Sequence, residues 1–259
     1  MSSKRYWSEV RVDEFASGLW SEAVAIAPLG AIEQHGPHLP MGVDTMIVDA
    51  VIERAVALME DYSALVMPTM TIGKSNEHIN FPGTLTLSAQ TVLNMWMDLG
   101  ACVARAGLKK LLFVNAHGGN TSLMDIIARD LRAEHGLITV SCSWWSLAQF
   151  EDLFDPHELV HGVHGGQGET SVLLAIAKHL VEMKHAQNFS SAASKWAEGG
   201  LTIGAGSTAA KLGWLIEDLN PDGACGDASG ASVEMGEAML GRGANALADL
   251  VTELRHFSV

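Results

Sequence analysis

The segment between Pro28 and Asp44 carries the residue types best suited to chemistry. Glu33 and His35 follow closely after a short apolar run, and Asp44 closes the segment before a helical pattern resumes. A carboxylate, an imidazole and a second carboxylate on one loop are a plausible set of metal ligands. The loop is rich in Gly and Pro, which is typical of backbone that holds side chains in fixed positions. The alternative is that these are ordinary solvated loop residues.

Three other polar stretches contain residue types that could join this loop. They read SNEH, HGGN and HGGQGET, and each lies between apolar segments. Histidine and carboxylate side chains are common metal ligands in proteins. The residues of interest are Ser75, Glu77, His78, His117, His164 and Glu169.

Each stretch also has a purely structural interpretation. Gly118 and Gly119 could form a phosphate nest at a helix N-terminus, but no P-loop Lys or Ser/Thr accompanies them, which favours a metal role. Glu169 could merely complement a helix dipole, and Glu77 could be a partner of a ligand or a surface charge. Packing or solvation is the favoured interpretation of three more histidines, His38, His78 and His135.

Apolar periodicity predicts the elements that carry these loops. Short unbroken apolar runs predict buried strands at 23–27, 64–67, 111–114 and 137–141. Apolar residues at three- and four-residue spacing predict helices at 45–60, 89–106, 121–135, 171–180 and 229–255, with weaker helical character at 8–17. We predict Thr45 as N-cap of the first long helix, Gly107 at the end of the second, and Asp227 or Ser229 as N-cap of the last.

The succession of short strands and helices predicts the fold. It is typical of βαβ units and of a mainly parallel sheet covered by helices on both faces. We therefore predict an α/β fold, a three-layer α/β/α sandwich, with residues 1–259 forming one domain. Ligands of such sheets bind beyond the carboxyl ends of the strands, so the polar loops should meet there. The poorly periodic segment 184–226 is either an excursion or an oligomer contact.

Composition restricts the partners and the location. The net charge of −14 argues against nucleic acid or an anionic membrane as the main partner. Cys102, Cys142 and Cys225 are far apart, which fits reduced thiols better than a disulfide scaffold. The N-terminal residues lack an apolar core of signal-peptide length, and no apolar run approaches a membrane span. We predict a soluble cytoplasmic protein.

Four sequence motifs resemble those of the creatininase (creatinine amidohydrolase) family. They read GAIEQHGPHLPMGVD, SNEHINFPGT, VNAHGGN and HGGQGETS, in this order and at these distances. The resemblance spans roughly residues 24 to 175 and extends weakly to GACGDASGASVEMG near the C-terminus. Members of the family are α/β/α sandwiches, usually hexameric, with two divalent metals. The resemblance thus implies a homohexamer that holds zinc and manganese, or two zinc ions.

The resemblance assigns the ligands of two metal ions, and each set includes residues from the segment between Pro28 and Asp44. One ion would be held by Glu33, Asp44 and His117, and the other by His35, Asp44 and Glu169. Asp44 would bridge the pair, because a carboxylate can offer one oxygen to each ion. Three carboxylates against two divalent ions leave a charge of about +1, which favours a hydroxide shared by ions ~3.5–4 Å apart.

The resemblance also implies a catalytic group and substrate contacts. His164 matches the family's catalytic histidine and would move a proton to the leaving nitrogen or oxygen. Creatininase itself has tyrosine and glutamate where this chain has Gly118 and Gly119, and tryptophan and aspartate in place of Val160 and His161. Those residues surround the creatinine ring, so the differences argue against creatinine as the substrate. We predict that the substrate contacts Ser75, Gly118, Trp145 and His161.

These expectations define a reaction class. We predict a dinuclear metal-dependent amidohydrolase that cleaves a C–N bond of a small cyclic amide or formamide through a metal-bridging hydroxide. A lactonase of the same family and a peptidase of cofactor maturation are the enzymatic alternatives. A metal-bound binding or scaffold protein is the alternative from another class. Retention of every implied ligand together with His164 argues against it.

Overall fold

Four parallel strands form the central sheet, in which the first strand of the chain lies between the second and the third, and the fourth lies beside the third. The computed structural model describes residues 4–206 and 208–259. Each strand corresponds to one of the four predicted apolar runs, and β1 and β2 are buried along their whole length. The strands are β1 (Val24–Leu29), β2 (Ala64–Val66), β3 (Lys110–Asn115) and β4 (Ile138–Ser143).

The first strand continues beyond its predicted end at residue 27. Pro28 lies within β1 and pairs in register with Val114 of β3. In a parallel sheet, the N–H and C=O of one residue point to the same side, and the carbonyl of Pro28 accepts from the N–H of Met70. The nitrogen of Pro28 therefore points beyond the end of β2, where no ladder hydrogen bond is lost.

Helices cover both faces of the sheet. On β1, Ala25, Ala27 and Leu29 pack against helices on one face of the sheet, whereas Val24 and Ile26 pack against helices on the other face. This alternation is the period of two expected for a strand buried on both faces. The predicted α/β/α sandwich is confirmed. The helices are α1 (Val12–Ala16), α2 (Val43–Val56), α3 (Ala89–Arg105), α4 (Thr121–His135), α5 (Trp144–Ala148), α6 (Pro156–His161), α7 (Gln167–Ala177), α8 (Ala192–Glu198), α9 (Ile216–Leu219) and α10 (Val233–His256).

Two predicted N-caps are wrong. The first long helix begins at Val43 after Gly42, so Thr45 lies inside it and donates its hydroxyl to the carbonyl of Ala31 instead. The last helix begins at Val233, where the hydroxyl of Ser232 accepts from the N–H of Met235. A side-chain hydrogen bond thus caps the last helix, whereas the first long helix begins after Gly42 without one. The predicted end of the second long helix at Gly107 is confirmed by the positive φ of that residue.

The helix predicted at 171–180 starts earlier than expected. In the structure it is α7, which begins at Gln167 and ends at Ala177. Gly165 and Gly166 precede this helix and Gly168 lies in its first turn, so the spacing of apolar residues does not reveal where it begins. The shift has a functional consequence, because it places Glu169 in the first turn of the helix.

The segment 184–226 forms small local elements beside the main sheet. Its strands are β5 (Asn188–Phe189), β6 (Ile203–Gly204), β7 (Ala210–Lys211) and β8 (Gly226–Asp227), which pair as β5 with β8 and β6 with β7. Just before β8, Cys225 forms an antiparallel bridge with His164. Among the described helices, none is long and apolar enough to cross a membrane.

Candidate metal centre

Side chains from four separate segments meet beyond the carboxyl ends of the strands. Glu33 and His35 come from the loop after β1, and Asp44 lies in the first turn of α2. His117 follows β3, and Glu169 lies in the first turn of α7. The sequence-predicted ligands therefore lie together, as expected for an open parallel sheet.

The side chain of Asn120 joins three of the loops that carry these residues. Its amide nitrogen donates to the carbonyl of Gly30 and to the side-chain oxygen of Asn115. Its amide oxygen accepts from the N–H of Lys74. The side-chain amide of Asn115 in turn binds the backbone of His117 twice, because its oxygen accepts from the N–H and its nitrogen donates to the carbonyl. The asparagine of the HGGN stretch thus joins the strand-end loops by hydrogen bonds. This role differs from the phosphate nest considered as an alternative.

One half of the site brings Glu33, Asp44 and His117 together. The Nδ1 atom of His117 lies 3.3 Å from Oε2 of Glu33 and 3.4 Å from Oδ2 of Asp44. All three side chains are buried, with exposed fractions of 1% for Glu33 and 2% for Asp44. Two carboxylate oxygens and one imidazole nitrogen therefore face a common point.

The other half brings His35 and Glu169 to the same aspartate. The Nε2 atom of His35 lies 3.5 Å from Oδ1 of Asp44 and 4.0 Å from Oε2 of Glu169. Glu169 is further held by the N–H of Gly165, which donates to its Oε2 atom. The two oxygens of Asp44 thus face different halves of the site, Oδ1 toward His35 and Oδ2 toward His117.

Backbone carbonyls fix which nitrogen each histidine presents to the site. The Nδ1–H of His35 donates to the carbonyl of Glu33 at 3.0 Å, which leaves Nε2 as the free nitrogen. The Nε2–H of His117 donates to the carbonyl of Lys74 at 2.9 Å, which leaves Nδ1 free. This is the arrangement that orients metal-binding histidines in proteins.

The donor atoms that face the centre fit divalent cations. Glu33 Oε2, His35 Nε2 and Asp44 Oδ2 are buried and have no hydrogen-bond partner among the described residues. Buried polar atoms are otherwise nearly always paired, and carboxylate and imidazole donors suit zinc and manganese. The residues present therefore match the ligand sets that the sequence predicted.

The crowding of acids and imidazoles shifts their pKa values. Burial lowers the pKa of His35, but Asp44 and Glu169 outweigh it and raise the pKa to about 9. The pKa of His117 is likewise held well above its usual value by Glu33 and Asp44 despite burial. Burial raises the pKa of Glu169 to about 7, with Asp44 adding to the effect and His35 opposing it. Protons and metal ions therefore compete for the same atoms.

His164 lies in a stack of three imidazoles above the carboxylates. Its ring centroid lies 4.1 Å from that of His35 and 4.2 Å from that of His78. Its Nε2–H donates to the carbonyl of Gln34 at 2.6 Å, so Nδ1 is the free nitrogen, 3.7 Å from Glu33 Oε1. Burial lowers its pKa well below the usual value, and the neighbouring His35 and His78 lower it further.

His78 belongs to the site, although the sequence pattern favours packing or solvation for it. Its ring is buried in the site, with Nε2 3.3 Å from Glu33 Oε1. Burial lowers its pKa to about 4. The signal was present, because His78 lies in the same strand-end loop as Ser75. Spacing alone could not tell which side chain of that loop turns inward.

Two of the predicted substrate contacts lie next to the centre. Ser75 is fully buried, and its hydroxyl is 3.3 Å from Nε2 of His117, so it contacts a candidate ligand. Gly118 is exposed, and a Cβ atom on it would meet nothing within 4 Å. The space above Gly118 is therefore available to a bound molecule.

The two other predicted contacts lie elsewhere. Trp145 packs against Phe150 and Phe154 and covers Gly168, where a Cβ atom would approach its ring within 2.6 Å. It therefore supports the first turn of α7 from behind. His161 lines a separate cavity of about 290 Å³, together with Asp155, His157, Glu158, Gln167, Asn188, Phe189, Ser191, Gly226 and Asp227. Substrate contact by either residue stays a prediction.

Gly119 differs from Gly118 because other atoms fill the space that a side chain would occupy there. A Cβ atom there would lie 2.1 Å from the carbonyl oxygen of Lys74 and 2.4 Å from Oε1 of Glu77. Glu77 lies 3.6 Å from Nε2 of His117, and burial raises its pKa. Of the two interpretations left open for Glu77, the structure supports a partner of a candidate ligand.

Comparison with protein families gives a match over nearly the whole chain. The family model described as creatinine amidohydrolase matches residues 8–251. A mycofactocin precursor peptide peptidase of Mycobacterium ulcerans (strain Agy99) is 33% identical over 162 residues, which cover 60% of this chain and 59% of that protein. A creatinine amidohydrolase of Pseudomonas putida is 33% identical over 178 residues, covering 62% of this chain and 67% of that protein. The chain thus matches about three-fifths of the first relative's length.

Solved structures extend the similarity to the whole fold. A manganese form of creatininase is 25% identical, with a TM-score of 0.76 over 96% of this chain and 98% of that one. A mutant creatininase of the Zn–Zn type is 26% identical, with a TM-score of 0.74 over 97% of this chain and 98% of that one. The similar structures therefore include proteins whose metals match the donor chemistry seen here.

Proposed function

This chain belongs to the creatininase family, and we propose that it is a metal-dependent hydrolase that cleaves a C–N bond of a small amide. The reaction adds water across the bond, so that the carbonyl carbon gains a hydroxyl group and the leaving nitrogen gains a proton. A cyclic amide or a formamide is the preferred substrate class. The observation that supports the proposal best is the orientation of Asp44, whose two oxygens face two different groups of ligand-type atoms.

We assign the ligands from this geometry. Glu33, Asp44 and His117 would hold one ion, and His35, Asp44 and Glu169 the other. The unpaired buried atoms support the assignment, because a divalent ion would satisfy each of them. When bound, two such ions would activate water and polarise the carbonyl of the substrate. Zinc with manganese, or two zinc ions, fit the donor set and the metals of the similar structures.

Residues of the protein itself would transfer the proton and determine how the substrate reaches the site. His164 donates from Nε2 to a backbone carbonyl, so proton transfer to or from the substrate must use Nδ1. Its lowered pKa keeps the ring neutral and able to accept a proton before passing it to the leaving nitrogen. Glu169 retains 21% exposure of its side chain, whereas Glu33 and Asp44 are almost completely buried. We therefore infer that a small substrate enters the site beside Glu169, the most accessible of the three carboxylates.

Removal of a peptide-chain end is the second candidate function. The similarity to a mycofactocin precursor peptide peptidase favours it, because that relative matches this chain as closely as the creatinine amidohydrolase does. Lactone hydrolysis is a third candidate function, since the same site would also attack an ester carbonyl. All three reactions use the same residues and differ only in the substrate.

The direct test counts metals and screens substrates in the same preparation. We expect elemental analysis to find two divalent ions per chain, and turnover of a lactam or a formamide after loading with zinc or manganese. A panel of lactams, formamides, lactones and short peptides separates the candidate functions. Absence of bound metal together with no activity on adding either metal would overturn the proposal, and metal without turnover of any substrate would favour a binding protein.

Two substitutions test the ligand assignment. Asp44→Asn should lose both ions, because the amide offers only one oxygen and that oxygen is neutral. Glu169→Gln should lose chiefly the ion that it shares with His35. Elemental analysis of both variants, with circular dichroism to confirm folding, provides the measurement. Unchanged metal content in Glu169→Gln would remove this residue from the ligand set.

A further inference from the structure

The side-chain amide of Gln34 is held in one orientation by the backbone around it. The N–H of Gly36 donates to its Oε1 atom at 2.9 Å, and its Nε2 atom donates to the carbonyl of Gly223 at 2.8 Å. An N–H cannot donate to an amide nitrogen, and a carbonyl cannot donate to an amide oxygen. Exchange of the two amide atoms is therefore excluded by chemistry.

This orientation determines where His78 carries its proton. The Nε2 atom of Gln34 has a second proton, and it lies 2.8 Å from Nδ1 of His78. Nδ1 of His78 must then accept, so a neutral ring carries its proton on Nε2. The same amide nitrogen also lies 3.4 Å from Nε2 of His164, but that atom already donates to the carbonyl of Gln34 and cannot accept.

We propose that Gln34 and His78 form a positioning pair that orients Glu33 for metal binding. The Nε2 atom of His78 faces Oε1 of Glu33 at 3.3 Å. The other oxygen, Oε2, is left without a hydrogen-bond partner among the described residues and faces His117. His78 thus attracts one oxygen of the carboxylate and leaves the second for the ion. The inference deepens the proposed metal centre and rests on it.

A direct role of His78 as a ligand is the competing interpretation. Glu33, His78 and His164 are close enough together to hold an ion. However, a ring nitrogen that carries a proton has no lone pair to offer, and the amide of Gln34 places that proton on the nitrogen that faces Glu33. The geometry therefore makes His78 a positioning residue for Glu33.

The first test locates the proton on the wild-type protein. We expect ¹⁵N NMR of histidine-labelled protein, with the resonance assigned by its loss in His78→Gln, to show protonation of His78 at Nε2. Gln34→Glu replaces the donor with an acceptor, so it should transfer the proton to Nδ1, whereas Gln90→Glu on the exposed face of α3 should change nothing. Protonation of wild-type His78 at Nδ1 would overturn the proposal.

The second test measures zinc affinity by competition with a chromophoric chelator. His78→Phe keeps a ring but removes both nitrogens, so we expect binding about 10–100-fold weaker at one of the two sites. His78→Gln retains an acceptor and a donor and should recover part of the affinity. His135→Phe, at an exposed histidine, is the matched control. A fall in affinity in His78→Phe that His78→Gln does not relieve would indicate a general packing defect and would contradict the proposal.

The outcomes separate this inference from the function on which it rests. If the wild-type protein binds no zinc or manganese, the proposed metal centre fails, whatever the position of the proton. If the wild-type protein binds two ions and His78→Phe binds them equally tightly, the centre stands and the positioning role is overturned. If His78→Phe does not fold, the proton position in the wild-type protein decides.

Discussion

Individual side chains determine the chemistry of this site through the direction of single atoms. Asp44 divides its two oxygens between two groups of ligands, and His164 leaves only Nδ1 free. Neighbouring residues in the chain can therefore have opposite tolerance to substitution. Gly118 and Gly119 illustrate this, because one faces open space and the other faces a carbonyl oxygen.

Substitution of the two glycines should give opposite results. Gly119→Ala places a methyl group against the carbonyl of Lys74, the carboxylate of Glu77 and the ring of His117, so we expect weaker metal binding and lower stability. Gly118→Ala should retain wild-type metal content and melting temperature. Zinc titration and thermal unfolding of the pair provide the comparison. Equal behaviour of the two variants would contradict the close packing at Gly119.

Loss of the His164 imidazole should separate metal binding from turnover. In His164→Gln, an amide can still donate to the carbonyl of Gln34, so we expect a folded protein with its full metal content. Turnover should fall by about 10²–10⁴-fold, because no group then moves a proton at the position of Nδ1. His179→Gln, at an exposed histidine, serves as the control. Full activity in His164→Gln would refute the acid–base role.

At the scale of secondary structure, the packing of α7 against α10 fixes the position of Glu169. A Cβ atom on Gly236 of α10 would lie 2.0 Å from the carbonyl oxygen of Ser171 in α7. The hydroxyl of Ser171 also accepts from the N–H of Ser232 at the start of α10. The backbones of the two helices are therefore in contact at Ser171, two residues along α7 from the candidate ligand Glu169.

Alanine at two glycines of α10 should shift stability in opposite directions. Gly236→Ala clashes with backbone that cannot rotate away, and we expect a loss of about 1–3 kcal/mol in the free energy of unfolding. Gly241→Ala faces open space on the same helix and should gain about 0.5–1 kcal/mol through reduced chain entropy. Chemical denaturation measures both. Stabilisation by Gly236→Ala would show that α7 and α10 are less closely packed than described.

The sequence predicted the elements better than the direction of their side chains. The four strands and the convergence of Glu33, Asp44 and His117 follow from apolar runs and from the geometry of parallel sheets. The inward position of His78 does not follow, because it depends on an amide from a loop distant in the chain. The direction of the Trp145 ring does not follow either, because the residue lies beyond a strand end but its ring packs against Phe150 and Phe154.

For the whole molecule, the buried charge at the candidate metal centre predicts that the stability of the folded protein depends on bound metal. Glu33 and Asp44 are buried beside the partly exposed Glu169, and in the described cluster the imidazoles of His35 and His117, rather than Lys or Arg, balance part of this charge. Burial of carboxylates without full compensation is costly. Ions that bind the folded protein alone stabilise it by mass action.

Metal removal should therefore lower the melting temperature. At a free metal concentration about a hundred times the dissociation constant, each site contributes about 2.7 kcal/mol. We expect a strong chelator to lower the melting temperature by several degrees and added zinc or manganese to restore it. The chelator should have little effect on Asp44→Asn, which serves as the control. An unchanged melting temperature in the wild-type protein would contradict the coupling of metal to stability.

The predicted homohexamer is also a property of the whole molecule. The family resemblance supports it, and an oligomer contact is one of the two interpretations given above for segment 184–226. Light scattering coupled to size-exclusion chromatography should give six chains per particle. A monomer in solution would refute the assembly.

The bridge between His164 and Cys225 has a consequence for how this protein could diversify. The segment that precedes Cys225 leaves the site near Glu182, whose N–H donates to the carbonyl of His38, and it returns at the bridge. Both of its ends thus lie beside the candidate metal centre, whereas the described residues between them supply none of the candidate ligands. Changes of length or sequence between residues 183 and 222 should therefore leave the candidate ligands in place, so that related or engineered proteins could vary this stretch while they keep Gly223, whose carbonyl holds the amide of Gln34.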